Sequence, residues 1–159
     1  MTFRIVAMAD LVSAEARSTD KAPGYGHAIY RDIAKGYGPC RSCLRTLALG
    51  VDERLLLTYD PFMDLESLPL PGPIYLHAKD CTRYEYENAY PEDLRFIPTT
   101  MNAYGRGRVL REVRYVEPNG DAEGTIAELL GNPDVAYIHA RNTEAGCYMF
   151  RIERSPAPS

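Results

Sequence analysis

The alternation of hydrophobic and polar positions predicts a chain dominated by short strands. Apolar runs of strand length recur along it, and most are bounded by Gly, Pro or Asn. The predicted strands are Phe3–Met8, Ala28–Ala34, Arg54–Tyr59, Ile74–Lys79, Leu94–Tyr104, Val109–Val116, Val135–Arg141 and Gly146–Glu153. The last four form two predicted hairpins, and the first of these turns at Gly105 to Gly107, whose glycines accept positive φ.

Three stretches have the apolar spacing of short amphipathic helices. They are Leu11–Arg17, Cys40–Leu47 and the stretch from Thr125 to Gly131. Asp10 is in position to cap the first helix. Thr125 and Glu128 stand three residues apart, which is the spacing of a capping box at the start of the last helix.

Eight strands and two or three short helices predict an α+β fold around a mainly antiparallel sheet. Residues 61–73 contain four prolines, which favours a loop there. A length of 159 residues is typical of one domain. We therefore expect a single domain over residues 1–154, followed by a frayed tail at 155–159.

Composition excludes several classes of protein. Hydrophobic residues make up 45% and charged residues 25%, which indicates a folded globular chain, and a net charge of −4 disfavours nucleic acid as a partner. No apolar run is long enough for a membrane span, and acidic residues stand near the N-terminus where a signal peptide would be apolar. We expect a cytoplasmic protein that binds neither membrane nor nucleic acid.

Two predicted strands carry nearly the same seven residues, IYLHAKD at 74–80 and AYIHARN at 136–142. Side chains alternate across a strand, so Tyr, His and a basic residue share one face of each copy. These residues are Tyr75, His77 and Lys79 in the first copy and Tyr137, His139 and Arg141 in the second. If the two strands lie near each other in one sheet, both imidazoles project into the same space.

Such a cluster favours a small anionic ligand, because Arg and Lys neutralise a carboxylate or phosphate while His exchanges protons near neutral pH. Arginine outnumbers lysine by 15 to 3, which agrees with bidentate anion binding but also with the codon usage of a GC-rich genome. The alternative is a half-buried sheet surface in which each His bonds a backbone carbonyl. The hypothesis assigns ligand binding to Arg41, Tyr75, Tyr137, Arg141 and Asn142.

Four cysteines in a chain of this size and without an export signal indicate free thiols. Cys40 and Cys43 form a CxxC pair with the spacing of a zinc knuckle, which His77 and Cys81, or His139 and Cys147, would complete as a tetrahedral site. The same pair at a helix N-terminus would instead be a redox motif of the thioredoxin type. In the third interpretation the pair is simply part of the apolar face of that helix.

Cys81 and Cys147 each follow a predicted strand that carries a histidine. A thiol held close to an imidazole becomes a nucleophile, so both are candidate catalytic residues together with His77 and His139. The sequence does not decide whether the chain is an enzyme, and no cofactor is predicted.

Four segments make the chain resemble an uncharacterised bacterial family, the domain of unknown function 1203. They are YGPCR at 37–41, LLLTYDPF at 55–62, GPIYLHAKDC at 72–81 and YIHARNTEAGCYMFRIER at 137–154. The resemblance implies no activity, substrate or cofactor. It covers Cys40 and Arg41 more closely than Cys43, which disfavours the zinc and redox interpretations.

Two classes of function therefore stay open, besides zinc binding. The first is a small-molecule site, binding or catalytic, at the histidine-bearing strands. The second is a non-enzymatic interaction module or homodimeric subunit, for which 12 tyrosines and 15 arginines provide typical interface chemistry.

Overall fold

The structure, a computed structural model, describes residues 2–61 and 72–156. Its strands in chain order are β1 Phe3–Val6, β2 Tyr30–Ile33, β3 Glu53–Tyr59, β4 Gly72–His77, β5 Thr99–Tyr104, β6 Leu110–Val116, β7 Tyr137–Asn142 and β8 Tyr148–Arg154. Its α-helices are α1 Asp10–Thr19 and α2 Ala122–Gly131, with short 3-10 turns at Glu92–Leu94 and Arg106–Arg108. All paired strands are antiparallel, which confirms the predicted α+β fold with a mainly antiparallel sheet.

The chain divides into two compact units. One comprises Met1–Val6 and Glu85–Ser159, and the other comprises Ala7–Tyr84. The second unit is thus inserted between β1 and the remainder of the first. Most of the predicted loop at 61–73 and the end of the predicted tail at 155–159 lie outside the described residues.

The discontinuous unit is built on a five-stranded sheet in the order β1-β8-β7-β5-β6. Both predicted hairpins are confirmed, since β5 pairs with β6 and β7 pairs with β8. Helix α2 contacts β6 and β8 and buries Ile126, Leu129 and Leu130. The predicted strand from Leu94 begins only at Thr99, because Pro98 has no amide hydrogen to donate.

The cap of α2 differs from the predicted one. Asp121 is the N-cap residue, and its carboxylate accepts a hydrogen bond of 2.9 Å from the amide of Gly124. Thr125 lies inside the helix and donates its hydroxyl to the carbonyl of Asp121. The capping-box assignment to Thr125 and Glu128 is therefore wrong, since the helix begins one turn earlier.

The continuous unit, Ala7–Tyr84, has a three-stranded sheet in the order β2-β3-β4. One face of this sheet is apolar, because Leu55 pairs with Leu76 and Leu57 with Ile74, and all four are buried. The opposite face carries His77 at the end of β4. In α1, Asp10 is the first helical residue and makes no cap, because the N-cap position falls on Ala9.

Two expectations about positions of the candidate residues are wrong. Residues 40–47 form a turn and a short bridge in place of a helix. The two strands that carry nearly the same seven residues, β4 and β7, belong to different sheets of different units, so they are not sheet neighbours. Within the described part of the chain, no helix is both long and apolar enough to cross a membrane.

Candidate metal centre

The turn that carries Cys40 and Cys43 is a tight knuckle closed by backbone hydrogen bonds. The amide of Cys40 donates to the carbonyl of Arg45 at 2.9 Å, and the amide of Leu44 donates to the carbonyl of Cys40 at 2.9 Å. Pro39 and Thr46 form a β-bridge just outside them. This geometry directs the two cysteines of the CxxC pair towards one point.

Leu44 adopts φ +56, in the left-handed region that favours glycine. A non-glycine residue there is strained by about 1–2 kcal/mol, and such strain is often associated with functional sites. The side chain of Leu44 is nevertheless buried. We infer that burial of this apolar side chain offsets the backbone cost and keeps leucine in the knuckle.

The second arm of the site comes from the end of β4. The amide of Arg41 donates to the carbonyl of Tyr75 at 3.3 Å, which ties the knuckle to this strand. The amide of His77, the last residue of β4, donates to Sγ of Cys40 at 3.2 Å. Cys81 follows His77 by four residues, and its thiol lies beside the same group. The backbone thus brings a second pair of side chains to the knuckle.

The four side chains Cys40, Cys43, His77 and Cys81 converge, with all their donor atoms within 4.8 Å of one another. Sγ of Cys40 and Sγ of Cys81 are 3.8 Å apart, and Sγ of Cys43 lies 3.3 Å from Nδ1 of His77. A tetrahedral zinc with Zn–S bonds of about 2.3 Å and a Zn–N bond of about 2.0 Å requires S···S separations of about 3.8 Å and S···N separations of about 3.5 Å. These two separations lie within about 0.2 Å of those in a zinc tetrahedron.

Hydrogen bonds within the cluster tie the pKa values of its side chains to one another. Hydrogen bonding to Cys40 first, and then to Cys43, holds the pKa of Cys81 well below its ordinary value. Hydrogen bonding to Cys40 and then Cys81 raises the pKa of His77 to about 10. The pKa of Cys43 is raised, chiefly by its hydrogen bond to Cys40, so these groups share protons among themselves. A divalent cation would displace those protons, because thiolates and neutral imidazole are the binding forms.

An acidic side chain orients the imidazole from outside the cluster. Nε2 of His77 lies 3.3 Å from Oδ2 of Asp52, and the same oxygen accepts a 2.8 Å hydrogen bond from the amide of Ala48. The pKa of Asp52 is lowered, first by the Ala48 amide. This contact occupies Nε2 and directs Nδ1 to the thiols, as carboxylates commonly do for metal-bound histidines.

A basic side chain from α1 completes the surroundings. Arg17 donates from Nε to the carbonyl of His77 at 3.0 Å and from Nη2 to Sγ of Cys81 at 3.3 Å. Its guanidinium also lies 3.7 Å from the exposed carboxylate of Asp80. Arg17 therefore links α1 to the cysteine cluster and supplies positive charge beside a thiolate. Neither Arg17 nor Asp52 was predicted, because no local spacing connects them with the cluster.

Of the other predicted residues of this unit, neither joins the four donor atoms. Arg41 is buried, and its guanidinium donates to the carbonyl of Pro39 at 2.6 Å within the knuckle. Tyr75 lies on β4, where the guanidinium of Arg54 sits 4.3 Å above its ring. Their predicted ligand-binding roles stay predictions. The redox interpretation of Cys40 and Cys43 loses its premise, because no helix begins there.

The second histidine set lies on the five-stranded sheet. The ring of His139 is buried and packs against three tyrosine rings, at centroid distances of 5.1 to 5.3 Å. These rings belong to Tyr104, Tyr137 and Tyr148. The metal group found among the described residues takes His77 and Cys81, and not the alternative pair His139 and Cys147.

Arg141 and Asn142 stand at the end of β7, before the turn into β8. The carboxamide oxygen of Asn142 accepts from the amides of Glu144 and Ala145, at 3.0 and 3.1 Å, and thereby shapes that turn. The arginine donates to the carbonyl of Gly146 at 3.5 Å. Two sets of roles stay predictions: catalysis by His139 and Cys147, and ligand binding by Tyr137, Arg141 and Asn142. The common sheet that would have joined these residues to His77 does not exist among the described residues.

The comparisons with known proteins give one match. The family model described as "Protein of unknown function (DUF1203)" matches residues 37–154, a span that includes the knuckle, the end of β4 and both strands β7 and β8. No curated protein and no solved structure matches the chain.

Proposed function

The chain belongs to the family of unknown function DUF1203, and we propose that its Ala7–Tyr84 unit binds one zinc ion through Cys40, Cys43, His77 and Cys81. The observation that carries the proposal is the convergence of three thiols and one imidazole nitrogen within 4.8 Å, in which the Cys40–Cys81 and Cys43–His77 separations are close to those of a zinc tetrahedron.

The donor set favours zinc over the harder divalent cations. Three thiolates and one imidazole nitrogen are soft or intermediate ligands, whereas Mg²⁺ and Ca²⁺ take oxygen. Four protein ligands also fill the tetrahedron, which is typical of structural zinc and leaves no position for a reacting water. The proposed role of the metal is therefore structural.

Charge around the cluster agrees with this assignment. Three thiolates with one Zn²⁺ and a neutral imidazole carry a net charge of −1. Arg17, which donates to Sγ of Cys81, supplies a compensating positive charge at the edge of the cluster. Asp52 on the opposite nitrogen of His77 strengthens that imidazole as a ligand.

The metal would fasten the knuckle to the end of β4. Cys43 and His77 are 34 positions apart in the sequence, so an ion bound by both closes a long loop of chain. Because structural zinc binds the folded arrangement of its ligands, its binding free energy adds to the stability of the fold. We accordingly expect the Ala7–Tyr84 unit to depend on zinc for folding.

The test is metal analysis of the purified full chain by inductively coupled plasma mass spectrometry, with variants that remove one thiol at a time. We expect one zinc per chain in the wild type and in Cys147→Ser, whose thiol lies outside the cluster. Cys81→Ser should retain well under one equivalent after dialysis against a mild chelator. Zinc below equimolar in the wild type, or equal retention in both variants, contradicts the proposal.

A further inference from the structure

Strand β6 is the outer strand of the five-stranded sheet and carries an exposed apolar stripe. Among the described residues it pairs only with β5. Leu110, Val113 and Tyr115 are 49%, 51% and 55% exposed. Their partners on β5 are alternate residues, Tyr104, Asn102 and Thr100, so all three side chains lie on one face. An outer strand of seven residues with such a face is suited to further pairing.

We propose that β6 pairs antiparallel with β6 of a second copy of the chain, which joins the two five-stranded sheets across a two-fold axis. The sequence of the strand, LREVRYV, and the symmetry that a homodimer imposes both support this pairing. It does not depend on the zinc site, which lies in the other unit.

Symmetry and charge select one register for this pairing. A two-fold axis perpendicular to the sheet keeps each side chain on its own face, so residues that oppose each other must be an even number of positions apart. A register centred on Glu112 would oppose two carboxylates, and one centred on Arg114 would oppose two guanidiniums. The register centred on Val113 instead places Glu112 of each copy opposite Arg114 of the other.

The same register gives Val113 and Tyr115 suitable neighbours, whereas Leu110 lies beyond the irregularity of β6 at Arg111. Val113 opposes Val113 at the axis and removes apolar surface from water. Tyr115 of each copy opposes Arg111 of the other, a pair that permits a cation–π contact. On the other face, Arg114 already lies 2.6 Å from Glu112 and 3.0 Å from Glu128 of its own chain. The second copy therefore adds a carboxylate to an arginine already held in place.

The experiment is sedimentation equilibrium of the full chain and of charge-reversed variants. The wild type should form a dimer of twice 17.8 kDa with a dissociation constant below about 100 µM. Glu112→Arg places an arginine opposite Arg114 of the other copy on both sides of the two-fold axis. Arg114→Glu likewise places a glutamate opposite Glu112 on both sides. Each change should raise the dissociation constant about tenfold or more. The double variant restores complementary charges and should dimerise again.

Two controls make the result specific to β6. Glu144→Arg reverses an exposed charge in the turn after β7 and should leave the dimer intact. Because Arg114 pairs with Glu128 within its own chain, thermal melts must show that every variant stays folded. A monomeric wild type, single variants that dimerise as well as the wild type, or a folded double variant that stays monomeric would each overturn the proposal.

Discussion

Replacement of Asp52 isolates the contribution of its carboxylate to metal binding without touching a metal ligand. Asp52 accepts from Nε2 of His77 and from the amide of Ala48. Asp52→Asn keeps an oxygen that can accept both hydrogen bonds but removes the negative charge. Asp52→Ala removes the acceptor as well, so Nε2 of His77 loses its fixed partner and the imidazole ring gains rotational freedom.

The magnitude follows from the position of the carboxylate behind the ligand. Loss of a carboxylate hydrogen-bonded to a zinc-bound histidine commonly weakens metal affinity about 10- to 100-fold. At 3.3 Å the contact with Nε2 is long, and the side chain of Asp52 is 32% exposed, so we expect Asp52→Asn at the low end of that range. A tenfold loss corresponds to about 1.4 kcal/mol. Asp52→Ala should approach a hundredfold.

The assay is competition for zinc with a chromophoric chelator, followed by the absorbance of the chelator complex. Asp80→Asn is the matched control, because its carboxylate is fully exposed and lies 3.7 Å from the guanidinium of Arg17. We expect the control to bind zinc as tightly as the wild type. Equal affinities in the wild type and both Asp52 variants would refute the proposed orientation of His77.

Three further predictions are tested by chemical denaturation of four single-residue variants. Leu44→Gly relieves about 1–2 kcal/mol of backbone strain but loses a buried side chain usually worth about 2–5 kcal/mol. It should therefore lower the unfolding free energy, and an unchanged or higher value contradicts this. Asp121→Ala should lower the unfolding free energy by about 1 kcal/mol through loss of the α2 cap, and Thr125→Ala should lower it by less. A larger loss for Thr125→Ala than for Asp121→Ala would favour the capping box at Thr125. Arg95 holds the pKa of Glu123 below 4.5, so this pair stabilises the fold above that pH and its contribution is lost as pH falls through the lowered pKa. Glu123→Gln should therefore cost about 0.5–1 kcal/mol at neutral pH and little in acid, and a pH-independent difference argues against the pair.

Local pattern predicted most strands but misassigned the knuckle. The apolar residues at 40–47 recur at helical intervals, and the same spacing of two cysteines is also that of a metal knuckle. What selects the turn is non-local: Arg41 bonds Tyr75 on β4, and His77 bonds Cys40. Periodicity within a short window contains no information about such contacts.

The repeated segment correctly fell on two strands, β4 and β7, but did not give their position in the fold. In β4 burial alternates, with Ile74 and Leu76 buried, whereas in β7 both Ile138 and His139 are buried. Sequence similarity between two strands does not determine that they share a sheet, because sheet order depends on which edges remain open as the chain folds. The four ligands were all among the candidates, but only the fold selects His77 and Cys81 to complete the CxxC pair.

The most direct test of the zinc site is X-ray absorption at the zinc K edge on the purified protein. A site built from Cys40, Cys43, His77 and Cys81 predicts three sulfur neighbours at about 2.3 Å and one nitrogen at about 2.0 Å. A shell of nitrogen and oxygen alone, or no stoichiometric zinc to measure, would contradict the account.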